Sequence, residues 1–367
     1  MEQLTFGETR SSDIFREQLH DLLDALRMEY AGDVISLYNQ ISIQYLLHRD
    51  SPWLTDRERQ AGHRAMEDEE LIARYRHSFS AFHAVAYTPL LDQPGTIRRL
   101  LSGVAPLPPY ANAALFPLMR EFLEYAVTLR PDNTVRTSWA LARAVADALY
   151  PEGNSPQPRA AVMDPACGTG AFLLAMGDHP GKSDEPLQLV GFEADSELRT
   201  ACRILAYLAD IPIDLREPPA EAQKRYGEYG LVLANPPLVR RKGAGEDLRI
   251  WDDPDPYRKA VWEIMESLAP GGRCALIVPD SFLFTVHTLA TRQRKALLTN
   301  FVVEGIFKLP DGSFLRPTGV KASAIVFSRP DSRDDRRPAT EKVLFYELSS
   351  LDTLGTVLSQ RERYWAE

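Results

Sequence analysis

The chain is poor in cysteine, has no long hydrophobic run and carries no excess of positive charge. Each shortage argues against a class of protein. Only Cys167, Cys202 and Cys274 occur in 367 residues, far apart, with no C-x-x-C pair and no Cys/His ligand spacing. That argues against a disulfide framework or a thiolate metal site, and no metal is expected. Reduced cysteines in a cytoplasmic protein are the plain reading. No stretch approaches the roughly 20 apolar residues that span a bilayer. Met1 to Arg10 is polar and charged, unlike a signal peptide, so no membrane association is expected. Acidic residues outnumber basic ones by 51 to 42, a net charge of −9. A protein that binds DNA by itself usually shows a basic face. The acidic total therefore disfavours stand-alone, high-affinity DNA binding. It still allows a local basic groove, or a partner that carries the DNA contacts.

What is present is ordinary globular composition, 44% hydrophobic and 25% charged, at a length that suggests two domains. Residues 12 to about 130 read as helical. Phe15, Leu19, Leu22, Leu23 and Leu26 recur at helical spacing, and Val34–Leu47, Arg74–Tyr87 and Leu118–Leu129 are further apolar stretches. Asp50-Ser51-Pro52, Pro94-Gly95 and Pro106-Leu107-Pro108 separate them. After Pro131 short β-rich runs alternate with helical ones, which predicts a parallel sheet flanked by helices. Ser138–Leu149 is a helix and Ala161–Met163 a short strand. Leu187–Phe192 and Leu231–Ala234 are further strands, and Tyr257–Leu268 is helical. Cys274–Val278 is a strand, and Phe301–Lys308 with Ala322–Phe327 form a closing pair. The domains expected are 1–130, 131–330 and a C-terminal extension, 331–367.

Two motifs lie 65 residues apart (235 − 170). The first, Asp164-Pro165-Ala166-Cys167-Gly168-Thr169-Gly170-Ala171-Phe172, joins a strand to a helix. Gly168 and Gly170 permit a tight turn and close backbone approach to a ligand at a helix N-terminus. The spacing is not the G-x-G-x-x-G of dinucleotide-binding folds, so pyrophosphate is not expected. Glu193 ends the next strand, 23 residues after Gly170, where an acid can accept from two ribose hydroxyls. Asp164 can meet an ammonium group. An amine, a carboxylate and a ribose together describe S-adenosyl-L-methionine. Asp195, nearby, reads better as a helix cap. Asp214 is placed near the cofactor's adenine ring.

The second motif is Asn235-Pro236-Pro237-Leu238. The exocyclic amine of adenine is a poor nucleophile because its lone pair is delocalised into the ring. Two acceptors aimed at its N–H bonds, the Asn235 side-chain carbonyl and the Pro236 main-chain carbonyl, favour the pyramidal geometry of methyl transfer. Such preorganised groups are worth roughly 3 kcal/mol each. Two prolines stiffen the loop that holds them.

At these residues the chain resembles the amino-methyltransferases of DNA, above all the modification subunits of type I restriction–modification systems. The likeness continues through Gly271-Gly272-Arg273, Ile277-Val278-Pro279-Asp280, Arg294-Lys295, Leu309-Pro310-Asp311-Gly312 and Gly319-Val320-Lys321, over about residues 130 to 330. It implies an α/β class I S-adenosylmethionine-dependent methyltransferase, a Rossmann-like doubly wound sheet, with an N-terminal helical domain. It implies catalysis at Asn235, Pro236, Pro237 and Leu238. It implies cofactor contacts from Thr137, Asp164, Ala166, Cys167, Gly168, Gly170, Phe172, Glu193, Ala194, Asp214 and Asn235. DNA is the implied substrate, reached through a specificity subunit, with a restriction subunit or a second copy of the chain as further partners.

Three departures from the family pattern stand out. Leu238 replaces the aromatic that stacks on an extruded base. Thr137 is what remains of an aromatic-Thr-Pro segment. No stretch is large enough to be a target-recognition domain. Two alternatives stay open: a methyltransferase on the same scaffold acting on RNA, a protein amide or a small-molecule nitrogen, and a cofactor-binding or assembly module without catalysis. The Val239–Arg258 loop, with basic Arg240-Arg241-Lys242, is placed to meet substrate, and Trp251 and Tyr257 are candidates for the stacking face that Leu238 lacks.

Overall fold

The hydrophobic period changes near Pro131, and so does the architecture. The computed structural model describes residues 6–29, 33–50, 69, 94–132, 134–150, 161–180, 187–219, 227–237, 255–316, 319–332 and 338–361. The expected helix Arg74–Tyr87, Leu238 and the substrate loop up to residue 254 lie outside them. The elements begin with α1 (Phe6–Glu29), α2 (Val34–Asp50), α3 (Pro94–Val104), α4 (Asn112–Thr128) and α5 (Trp139–Leu149). Next come β1 (Val162–Asp164), α6 (Ala171–Gly177), β2 (Leu189–Phe192), α7 (Ser196–Ala209), β3 (Ile213–Arg216) and β4 (Tyr229–Ala234). The chain continues with α8 (Pro256–Ser267), β5 (Leu268–Pro279), α9 (Asp280–Phe284), α10 (Thr288–Asn300), β6 (Val302–Lys308) and β7 (Ala322–Ser328). It ends in β8 (Phe345–Glu347) and α11 (Leu354–Ser359).

These elements form two compact units: Met1–Asp132 with Asp195–Asp210, and Asn133–Ala194 with Ile211–Glu367. In the first, α2 is the central helix. From Val34 to Leu46 its apolar residues and its Ser36, Asn39, Gln40, Ser42 and Gln44 are alike buried, so polar groups inside the unit need partners. Asn39 donates to the Glu197 backbone carbonyl at 3.0 Å and to its carboxylate at 2.9 Å. The Ser42 hydroxyl donates to the Tyr38 carbonyl at 2.7 Å. The two Asn39 bonds tie α7 into the helical unit, although its sequence position falls within the expected domain 131–330. Asp195 is the N-cap of α7, accepting from the Glu197 and Leu198 amides. Burial alone would raise its carboxyl, but the Arg130 guanidinium beside it holds it below the usual carboxylate range.

The second unit is an eight-stranded sheet in the order β3-β2-β1-β4-β5-β7-β6-β8. Strands β3, β2, β1, β4 and β5 run parallel. β7 is antiparallel to both β5 and β6, which makes the sheet mixed, and β8 adds parallel to β6. The extension expected at 331–367 thus supplies the last strand of the sheet and α11. The central strands are buried along nearly their whole length, as in sheets covered on both faces. Val190, Val232, Leu276, Ile325 and Phe327 pack with Ile264 and Met265 of α8 in one core. The strand order reverses between β1 and β4, and ligands of open α/β sheets bind at the carboxyl ends beside such a switch. Among the described residues no helix is long and apolar enough to cross a membrane. The three cysteines are free and buried.

Candidate active site

The turn after β1 is shaped by its two glycines. Gly168 has φ +55° and Gly170, the N-cap of α6, has φ +81°. These are left-handed conformations that cost an L-residue about 1–2 kcal/mol. The Gly170 amide donates to the Cys167 carbonyl at 2.8 Å, and the Cys167 amide donates to Phe192 at the end of β2, at 2.9 Å. Close packing under the turn requires a third glycine. A Cβ on Gly191 would lie 2.8 Å from Leu173, 2.9 Å from the Cys167 sulfur and 2.9 Å from Leu215. The sequence reading missed Gly191. A glycine inside a strand pattern next to a Gly-rich turn was the signal for it.

Two carboxylates serve this turn. Asp164 ends β1 with only 2% of its surface exposed, and its Oδ1 accepts from the Ala166 amide at 3.1 Å. Burial pushes the Asp164 carboxyl up from its ordinary 3.8 to about 8. The nearby Glu193 charge adds to the rise, and the Ala166 amide opposes it. Glu193 follows β2, and its Oε2 accepts from the Gly168 amide at 2.9 Å. The sequence-based expectation aimed both acids at a ligand. In the structure each also holds a backbone amide of the turn.

Asn235 leaves the carboxyl end of β4, one strand over. Its Nδ2 donates to the Val135 carbonyl at 3.3 Å and to the Thr137 hydroxyl at 3.1 Å. A carbonyl can only accept, so the amide nitrogen must face Val135. The oxygen then faces the other way, as an acceptor. The 135–138 segment is itself held. Thr137 forms an isolated antiparallel bridge with Phe314, the Leu315 amide donates to the Arg136 carbonyl at 3.1 Å, and Ser138 donates to the Ser313 carbonyl at 2.9 Å. Thr137, expected as a cofactor contact, thus touches the asparagine of the second motif. Its sequence position carried no sign of that contact.

A cavity of about 400 Å³ opens beside both motifs, within the usual size range of small-molecule sites. Ala166, Glu193, Ala194, Pro236 and Pro237 line it, together with Pro219 and Glu263, which the sequence reading did not single out. Several expected residues are not in its walls. Phe172 and Cys167 are buried, at 2% and 6% exposure, so their side chains pack in the interior. Asp214 sits exposed within β3 and pairs with Arg216. Pro218 and Pro219, just beyond β3, line the cavity, and Asp214 does not. Among the described residues no cluster of His, Cys, Asp or Glu could hold a metal ion.

Comparison with known proteins places this geometry. The profile of the N-6 DNA Methylase family matches residues 136–361. The Type I restriction enzyme EcoEI methylase subunit of Escherichia coli is 26% identical over 214 residues, 52% of this chain and 41% of that protein. The StySPI methylase subunit of Salmonella potsdam is 27% identical over 219 residues, 53% of this chain and 41% of that protein. The match thus spans about two fifths of these relatives' length. Among solved structures, the type I restriction-modification system methyltransferase subunit from Streptococcus thermophilus superposes with a TM-score of 0.65 at 15% identity, covering 96% of this chain and 93% of that one. A Listeria monocytogenes protein assigned to the class I S-adenosylmethionine-dependent methyltransferases superposes with a TM-score of 0.63 at 17% identity, covering 97% and 99%. These likenesses show a class I methyltransferase fold. Because the profile matches more than half of the chain, the chain belongs to the N-6 DNA methylase family.

Proposed function

We propose that the chain transfers a methyl group from S-adenosyl-L-methionine to N6 of adenine in DNA, as a modification subunit working in the cytoplasm with a separate specificity subunit. The observation that carries this reading is the locked amide of Asn235. Its nitrogen is committed to Val135 and Thr137, so its oxygen is fixed as an acceptor at the switch point of the sheet. Family membership and the names of the curated relatives support the same substrate.

The residues present fit the cofactor. The 400 Å³ cavity suits its size, Glu193 in its wall suits a ligand with a net positive charge, and Asp164, outside the wall, bonds the amide of Ala166, which lines it. Asp164 would meet the ammonium of the amino-acid end, and Glu193 the ribose. S-adenosyl-L-methionine, when bound, supplies an electrophilic methyl group on a sulfonium. The Asn235 oxygen and the Pro236 carbonyl accept the two N–H bonds of the reacting amine and localise its lone pair. Pro236 and Pro237 stiffen the backbone that carries these acceptors. The amine becomes acidic once alkylated and loses its proton to solvent, so the chain need supply no strong base. The acidic total charge of the chain fits an arrangement in which other subunits carry much of the DNA binding.

The test is nucleoside mass spectrometry of DNA and RNA from the native host, wild type against an Asn235→Ala strain. Loss of N6-methyladenine from DNA in the variant is expected. An unchanged profile would refute the reading, and loss of a methylated base from RNA alone would move the substrate.

A further inference from the structure

From residue 281 to residue 303 the chain has no acidic side chain, in a protein whose acids outnumber its bases, and the stretch carries Arg292, Arg294 and Lys295. This segment leaves the sheet at the rim of the candidate site. Ala234 of β4 pairs with Leu276 of β5. Three residues beyond that pair lie Pro237, in the cavity wall, and Pro279, the residue that precedes α9.

The last residue of α9, Phe284, is 71% exposed, and Val286 in the link to α10 is 93% exposed. On a loose loop such exposure would mean little. Here the backbone is fixed, because Arg294 donates to the Phe282 carbonyl at 2.7 Å and to the Thr285 carbonyl at 2.6 Å. At the start of α9, the Asp280 amide donates to Lys321 at 2.9 Å and the Asp280 carboxylate accepts from Ser323 at 2.8 Å. A large aromatic is therefore held in solvent by a preorganised support. The exposed stripe continues along α10 at helical spacing, through Thr288, Thr291, Arg292 and Lys295, while Leu289, Gln293 and Leu297 face the interior. Among the described residues neither Arg292 nor Lys295 has an ion-pair partner.

Hydroxyls, unpaired cations and an exposed ring, with Val286 and Leu298 exposed beside them and no carboxylate among them, complement a polyanion with stacked bases. The core of a protein interface is depleted of charge and more contiguously apolar. We infer that this stripe holds the DNA strand flanking the reacting base. Thr288, Thr291, Arg292 and Lys295 lie on phosphates, and Phe284 stacks on a base. The inference rests on the methylation reading above and assigns that reaction a contact surface on this chain. It also gives the chain an exposed aromatic face, which Leu238 of the second motif does not have.

The experiment uses the full chain, affinity-purified from its host with whatever subunits accompany it. It is titrated with a short fluorescein-labelled duplex of mixed sequence over a range of salt. The double variant Arg292→Gln/Lys295→Gln should bind every sequence more weakly and lower the slope of log affinity against log salt by about 2. Phe284→Ala should weaken binding about tenfold with the slope unchanged. Affinity for S-adenosyl-L-methionine and melting temperature should match wild type in both, which separates a lost contact from misfolding. An unchanged slope in the double variant overturns the inference, as does a wild-type preparation that does not bind the duplex. Loss of an accompanying subunit, with DNA affinity per assembled complex intact, would make the stripe a protein-docking face instead. The two readings fail separately. N6-methyladenine that depends on Asn235, with silent stripe variants, sinks only this inference. A fallen salt slope with methylation indifferent to Asn235 sinks only the methylation reading.

Discussion

Asp164→Asn should make the unliganded protein more stable, and more so as pH rises. Asp164 is 2% exposed, and burial followed by the charge of Glu193 lifts its carboxyl from 3.8 to about 8. The unfolded chain releases this proton near pH 4, and the folded chain keeps it until about pH 8. Below pH 4 both states hold the proton and the group is neutral in its effect. Between the two values each pH unit favours the unfolded state by about 1.36 kcal/mol. The destabilisation reaches roughly 4 kcal/mol at pH 7 and levels off at roughly 6 kcal/mol above pH 8. Asparagine cannot ionise, yet its carbonyl still accepts from the Ala166 amide. At about 2–4 °C per kcal/mol for a domain of this size, the variant should melt on the order of 10 °C above wild type near pH 8, with the gap closing toward pH 4. Paired thermal melts from pH 5 to pH 8.5 measure this, because titrations common to both proteins cancel in the difference. A gap that stays constant, or that shrinks as pH rises, refutes the reasoning.

The same arithmetic says why a buried acid belongs here. A group that destabilises the free protein is explained by what it does for a ligand. An ammonium group beside Asp164 would favour the carboxylate and draw its value down. Binding of S-adenosyl-L-methionine near pH 7 should therefore release a proton in wild type and none in Asp164→Asn. Calorimetry in two buffers of different ionisation enthalpy reads that directly.

Other substitutions test other parts of the site. Thr137→Val removes one acceptor from the Asn235 nitrogen and should cut turnover about three- to tenfold, with cofactor affinity unchanged; Thr137→Ser should restore it. Glu193→Gln leaves an acceptor for the Gly168 amide but removes the charge, so stability should hold while cofactor affinity, read by calorimetry, falls about tenfold. Gly170→Ala forces an L-residue to φ +81° and should lower stability by about 1–2 kcal/mol in denaturant melts. Gly191→Ala places a Cβ 2.8–2.9 Å from Leu173, Cys167 and Leu215, so it should lower both stability and cofactor affinity by displacing the turn.

What could be read from the sequence is what depends on a residue and its immediate neighbours. Glycines at Gly168 and Gly170 announce a left-handed turn, and the structure has one at each. The pairs Phe301–Lys308 and Ala322–Phe327 announced antiparallel strands, found as β6 and β7. The alternating pattern after Pro131 predicts the doubly wound sheet, but β-rich runs do not encode which strand pairs with which, so the insertion of β7 against β5 and the edge strand β8 were not foreseen. Helix α10 was obscured because its buried stripe includes Gln293, fully buried and donating to the Arg258 carbonyl at 2.8 Å, where the pattern wants an apolar residue. The site shows the same division more sharply. Thr137 looked like the remnant of a cofactor motif, yet its hydroxyl serves Asn235, 98 residues away. That contact exists because Arg136, Thr137 and Ser138 are clamped by Ser313, Phe314 and Leu315. Three segments remote in sequence thus fix the orientation of one amide. The identity of the asparagine is local information. The direction of its oxygen, on which the chemistry depends, is a property of the packed sheet.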